Sequence, residues 1–238
     1  MSQFDLNTPV GDWVSHHPQT SRVFESLQID YCCGGNKSLE HACWERQLDP
    51  QHVFTELEEA IQTSGESAGR NWLSEPLVEL SDHIEATHHS YLRRELPRLT
   101  EMIDKVVNSE SHPQLAQLGA VFAGLRAELE PHMFKEEQVL FPAIRQLEES
   151  SGSPSFPFGT VANPIRMMEH EHDAAGEALS NIRVLTDDYA VPDDACNTYR
   201  VMLDGLKQLE TDMHEHVHKE NSILFPRAIK LEESRPHG

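Results

Sequence analysis

Two eleven-residue segments of this 238-residue chain repeat one another at a fixed distance. His132-Met-Phe-Lys-Glu136-Glu-Gln-Val-Leu-Phe-Pro142 recurs as His216-Val-His-Lys-Glu220-Asn-Ser-Ile-Leu-Phe-Pro226, offset by 84 at both ends. Apolar positions shift with it: Leu118 pairs with Met202, Phe122 with Leu206, Leu125 with Leu209, Leu129 with Met213, Val139 with Ile223 and Leu140 with Leu224. Spacings of three and four place each series on one face of a helix. His132 and Glu136 lie on that face, as do His216 and Glu220. A fold built on this repeat must turn polar, ligand-type side chains into its core twice over.

The rest of the chain fits around the repeat. Helical patterns run over roughly 76–107, 113–147, 163–186 and 193–230, and no stretch alternates with period two. Pro142 and Pro226 are expected to end or kink the repeated helices. Small polar residues at Thr63-Ser-Gly-Glu-Ser-Ala-Gly69 read as a linker. Before it, the segment from Thr8 to about Gln62 holds two or three short helices, the last starting at Asp49-Pro50 with Asp as the N-cap. The expected fold is all-α: a small N-terminal helical module (1–62), a linker (63–75) and a four-helix bundle (76–238).

His and Glu four residues apart share one helical face and reach one point in the bundle interior. Two unpaired carboxylates meeting there would be costly unless a cation lay between them. A metal pair removes the cost, with each Glu bridging two ions and each His capping one. Glu137 is matched by Asn221, and His214 and His218 by Glu130 and Phe134, so the repeat selects Glu136 and Glu220 instead. In the third helix His172 falls on the stripe Ile165, Met168, Ala175, Leu179, whereas His170 points elsewhere. The first helix offers two candidates. His88 continues the stripe Leu77, Leu80, Ile84 and lies 84 residues before His172; His89 shares a face with Leu92, Leu96 and Ile103 at an offset of 83. Mixed imidazole and carboxylate donors in a bundle suit iron best, then manganese or zinc.

Charge excludes other classes of function. Forty acidic residues against nineteen basic ones leave −21, which repels phosphate backbones, so nucleic acid is not an expected partner. No apolar run reaches the length of a membrane helix, and no signal-peptide pattern opens the chain. Four Cys, two of them adjacent, do not make a disulfide framework, which suits free thiols in a reducing cytoplasm.

Two groups of residues resemble a known family. Ile29-Asp-Tyr-Cys-Cys-Gly-Gly35, together with the bundle segments around His88-His89 and His132–Pro142, is similar to the iron–sulfur cluster repair di-iron proteins of the haemerythrin-like superfamily. The resemblance implies a cytoplasmic protein with two non-haem irons joined by an oxo or hydroxo bridge. It implies damaged iron–sulfur proteins as partners, a role in nitrosative or oxidative stress, repair by iron donation, and room for a homodimer. Carried onto this sequence, the family's metal ligands fall on His89, His132, Glu136, His172, His216 and Glu220. Reduction of nitric oxide at the di-iron centre is the alternative activity, and a haemerythrin-like module binding or sensing dioxygen or nitric oxide is another. Oxygen-carrying haemerythrins have a further His where this chain has Gly176, which argues against the last.

Two further groups are expected to matter. Cys32 and Cys33, followed by two glycines and by a helix start near Ser38 that favours thiolate, form a candidate thiol site. Glu128 and Asp212, one turn before His132 and His216, are candidates for contacts around the ligands or along an iron exit route. Cys43 and Cys196 are expected to be structural.

Overall fold

The computed structural model describes residues 4–63, 70–109, 113–150, 152, 154–193 and 195–235. Four short helices come first: α1 (Val10–His16), α2 (Ser21–Ser26), α3 (Leu39–Glu45) and α4 (Pro50–Thr63). Asp49 accepts from the amide of Gln51 (2.9 Å), so α4 starts where the Asp-Pro pair predicts. The expected linker core, 64–69, lies outside the described residues.

Four long helices follow, and three carry a π-helical turn. α5 (77–109) joins Leu77–Ile84 and Ser90–Ser109 through a wide turn at Glu85–His89. α6 (113–149) widens at Glu136–Leu140, and α8 (197–233) at Lys219–Leu224. α7 (Ala162–Leu185) is an unbroken α-helix. α5 packs against both α6 and α8, and α6 against α7. Among the described residues there is no strand, only two isolated bridges, so the all-α expectation holds.

The prolines do not end their helices, and the reason is local. α6 runs on through Pro142 to Glu149, and α8 through Pro226 to Glu233. Each proline opens the α-helical segment just after a π turn, where the hydrogen-bond ladder is already interrupted. The missing N–H therefore breaks nothing that the wide turn had not broken.

The duplication reaches the helix ends. Glu148 accepts from the amides of Leu77 and Val78 (2.8 and 2.9 Å), so the end of α6 caps the start of α5. Glu232, 84 residues on, accepts from Val161 (3.2 Å) and so ties the end of α8 to the start of α7. A carboxylate on the free amides of a helix N-terminus opposes the helix dipole, and these two anchor each antiparallel pair.

The bundle core is divided in two. Leu77, Leu80, Ile84, Phe141, Ile144, Ile165, Met168 and Phe225 form one apolar cluster. Leu92, Leu96, Leu99, Phe122, Leu125, Leu179, Met202 and Leu206 form another, continuous with Val10, Trp13, Phe24, Leu39 and Leu57 of the N-terminal helices. The junction is close at one point: a Cβ on Gly11 would lie 2.7 Å from Ser222 Oγ, and one on Gly35 would lie 3.2 Å from it. The N-terminal helices therefore sit directly on the π turn of α8.

Candidate metal centre

Between the two apolar clusters runs a belt of ionisable side chains. His89, Glu136, His216 and Glu220 are fully buried, with His172 at 1% and His132 at 2% exposure. They come from all four bundle helices, and five of the six lie in a π turn or within four residues before one.

Their inward atoms form two overlapping groups. One donor atom from each of His89, Glu136, His216 and Glu220 lies within 4.8 Å of the others, and the same holds for His132, Glu136, His172 and Glu220. Both carboxylates belong to both groups. His172 Nε2 is 3.1 Å from Glu220 Oε2, His216 Nε2 3.2 Å from Glu220 Oε1, and His89 Nε2 3.3 Å from Glu136 Oε2. His132 Nε2 is 3.4 Å from Glu136 Oε2 and 3.1 Å from His172 Nε2.

The donor atoms fit a cation. His89 Nε2, both oxygens of Glu136 and Glu220 Oε2 are buried without a hydrogen-bond partner. Orphaned polar atoms this deep are rare in folded proteins and call for an ion or another compensating group. Burial works against the charged form of both carboxylates, and at Glu136 the neighbouring Glu220 adds repulsion. Attraction from His132 at Glu136, and from His216 and His172 at Glu220, outweighs this and holds both below the usual carboxylate range. Burial lowers His132, but the charge of Glu136 more than offsets it and raises the ring to about 9. His132 is thus drawn towards its charged form by the carboxylates, whereas burial holds His216 towards the neutral one.

Outward-facing nitrogens are also held. His89 Nδ1 donates to Glu137 (2.7 Å), His132 Nδ1 to Glu171 (2.9 Å) and His172 Nδ1 to Asn221 Oδ1 (2.9 Å). Each bond keeps the Nε2 lone pair directed inward, the usual way a protein aims a metal-binding imidazole. Arg93 pairs with Glu137 and Lys135 with Glu171, extending the network to the surface.

Residues 80–228 match the family model of the haemerythrin HHE cation-binding domain. The chain belongs to the haemerythrin HHE family. Within it, the most similar proteins include the iron–sulfur cluster repair protein YtfE of Enterobacter sp. (strain 638), 38% identical over 93% of this chain and 96% of the relative. YtfE of Yersinia pseudotuberculosis is 37% identical over 90% and 93%, and YtfE of Escherichia coli O17:K52:H18 is 37% identical over 93% and 96%. Residues 6–61 match a further model, ScdA_N, described as a domain of unknown function. A buried cluster of His and Glu in an HHE domain is a metal-binding site, and iron is the metal that the donor set favours.

Not every expected residue joins the cluster. Glu128, expected beside the ligands or along an iron exit route, is exposed on α6. Asp212 meets His88 and not a member of the donor groups: its Oδ1 lies 2.9 Å from His88 Nδ1. His88 is buried as deeply as His89, but its other nitrogen meets Lys219 Nζ (2.9 Å), so both of its nitrogens are engaged away from the donor groups. Glu137, Glu171 and Asn221 were not foreseen in this role. The repeat held a signal for two of them, since 137 and 221 are equivalent positions directly after the ligand carboxylates.

The Cys pair lies against α7. Cys33 Sγ is 3.5 Å from the carbonyl of His172, and a Cβ on Gly176 would come within 3.4 Å of that sulfur. The thiolate expectation is overturned for Cys32. Asp30 accepts from the amides of Cys32, Cys33 and Gly34 (2.9, 3.0 and 2.9 Å), so the carboxylate occupies the local anion site. The bond from Cys32 to Cys33, burial and the charge of Asp30 push the Cys32 thiol well above its ordinary value. α3 does start after an N-cap at Ser38, but its short dipole does not reverse this. Cys43 is buried, as a structural role requires, whereas Cys196 is exposed.

Proposed function

We propose that the chain holds two iron ions and repairs damaged iron–sulfur clusters by giving up iron from this centre. One ion lies among His89, His216 and the two carboxylates; the other lies among His132, His172 and the same two. The observation that carries the reading is the sharing of Glu136 and Glu220 between both donor groups, which a single-ion site has no need of. Four donors per ion leave coordination positions free, and a metal so held exchanges more readily than one in a saturated site. Bound there, iron supplies both the cargo for cluster rebuilding and a redox centre open to small ligands such as nitric oxide or dioxygen, with an oxo or hydroxo bridge between the ions.

The similarity to proteins named for iron–sulfur cluster repair supports iron–sulfur proteins as targets. Among the described residues no helix is long and apolar enough to cross a membrane. We place the protein in the cytoplasm, acting after nitrosative or oxidative damage, with a homodimer as a permitted state. In the same reading residues 1–62 are one module, joined through 63–75 to the bundle of 76–238, and the described helices of that module cover the π turn of α8.

Metal analysis and an optical spectrum of protein from iron-replete cells test the centre, with about two irons per chain and near-ultraviolet oxo-to-iron charge transfer expected. Anaerobic incubation with an apo-ferredoxin tests donation: cluster formation at the expense of bound iron supports it. Steady nitrous oxide production from nitric oxide and a reductant, without iron transfer, would assign turnover instead.

A further inference from the structure

The two halves of the centre share a plan but differ at two positions beside the donor groups: Glu137 is exchanged for Asn221, which still holds a ring nitrogen, and a second exchange leaves one ring unheld. On the α6–α7 side, Glu171 directly precedes the ligand His172, accepts from His132 Nδ1 and pairs with Lys135. On the α5–α8 side, the residue directly preceding His89 is His88, and the equivalent of Lys135 is Lys219. His88 meets Lys219 as Glu171 meets Lys135, but it offers no acceptor to the facing ligand. Its ring stacks on His216 instead, with centroids 5.3 Å apart and planes 2° from parallel. Asp212 and Lys219 occupy its two nitrogens. His216 Nδ1 is accordingly buried with no hydrogen-bond partner, whereas the corresponding nitrogens of His89, His132 and His172 are all held.

We infer that His88 makes the two metal positions unequal, and that the ion between His89 and His216 is the one released first. A hydrogen bond at Nδ1 fixes the tautomer, orients the ring and raises the basicity of Nε2; losing such a bond typically costs 10–100-fold in metal affinity. The His132–His172 position has both rings fixed in this way. The His89–His216 position has one. Stacking holds the plane of His216 but gives its outward nitrogen nothing to donate to, so the ring is a weaker and more easily displaced ligand. His88 is thus a positioning residue, which acts on the metal only through His216. The inference rests on the two-ion reading, and names which ion serves as cargo.

The test is anaerobic removal of iron by a ferrous chelator from full-length protein loaded with two irons. Wild type is expected to lose iron in two phases of equal amplitude, with rates about 10–100-fold apart. His88→Glu restores the carboxylate of the other half opposite the waiting Lys219, and is expected to slow the fast phase towards the slow one. Glu171→Gln removes the anchoring charge from His132, and is expected to accelerate the slow phase. In crystals of the wild-type protein stopped after the first phase, iron anomalous scattering should sit between His132 and His172. Loss in a single phase from a two-iron protein overturns the inference and leaves the di-iron reading standing. So does residual scattering between His89 and His216, or a His88→Glu protein that folds, holds two irons and keeps its fast phase. A protein that binds one iron or none overturns both.

Discussion

Glu137 Oε1 lies 2.7 Å from His89 Nδ1, so a residue set aside by its mismatch in the repeat aims one of the metal-site imidazoles. Its counterpart Asn221 does the same for His172 with a neutral amide oxygen. One structural position has been kept in both halves while its charge has changed.

Substitution at Glu137 should therefore grade with hydrogen-bonding ability. Glu137→Ala is expected to weaken metal binding at the His89 position by about 10–100-fold, and Glu137→Gln, which mimics Asn221, by less. Competition with a chelator of known affinity gives the order wild type, Gln, Ala. An alanine variant with unchanged affinity would show that the contact does not steer His89.

Metal should stabilise the fold strongly. A cation binds the folded belt and not the unfolded chain, so iron at about 100 times Kd is expected to add about 2.7 kcal/mol. Glu136→Leu combined with Glu220→Leu removes the shared oxygens. Calorimetry of that double variant should show no melting shift on adding iron, and metal analysis should show far less than two irons per chain.

Packing of the N-terminal helices on α8 depends on a missing side chain. At Gly11 a Cβ would stand 2.7 Å from Ser222 Oγ and 3.0 Å from the Gly35 carbonyl. Gly11→Val is expected to cost about 1–3 kcal/mol in urea unfolding. Gly11→Val with Ser222→Ala should recover part of the loss, because the double change removes the nearer of the two contacts.

The four thiols should react in a defined order. Cys196 is exposed and should label first in the native protein, followed by half-buried Cys33. Burial, then the charge of Asp49, raises Cys43 to about 11 from an ordinary 9.0. A thiol that shifts upward is protonated below its raised value, so at pH 8 its thiolate fraction falls about a hundredfold. Cys32 is shifted in the same direction. Both should stay unmodified at pH 8 until denaturant is added, as mass spectrometry after timed alkylation would record.

The α6 and α8 members of the donor groups were legible because repetition exposes them: His132, Glu136, His216 and Glu220 recur in frame with their apolar neighbours. Periodicity also placed the four long helices within a few residues of their observed ends. It leaned to His88, whereas the donor groups contain His89, and the reason is physical. The π turn at Glu85–His89 adds one residue to α5 that α7 lacks. Before the turn Leu77 and Ile84 align with Val161 and Met168 at an offset of 84; after it Leu92 and Leu96 align with Ala175 and Leu179 at 83. A pattern that assumes 3.6 residues per turn cannot register such a step. The same blind spot made Pro142 and Pro226 look like helix ends. Glu171 and Asn221 were hidden differently, since polar residues beside a ligand look like any solvated helix face until the tertiary fold brings another helix to them.

That one inserted residue reaches beyond α5. By widening a single turn it lets two consecutive histidines face inward, where the regular α7 admits only His172 and presents an acid beside it. A protein assembled from two copies of the second half would have matching anchors on both sides. On the two-ion reading proposed above, unequal grip would let a carrier part with one ion while the other keeps the folded scaffold intact for reloading.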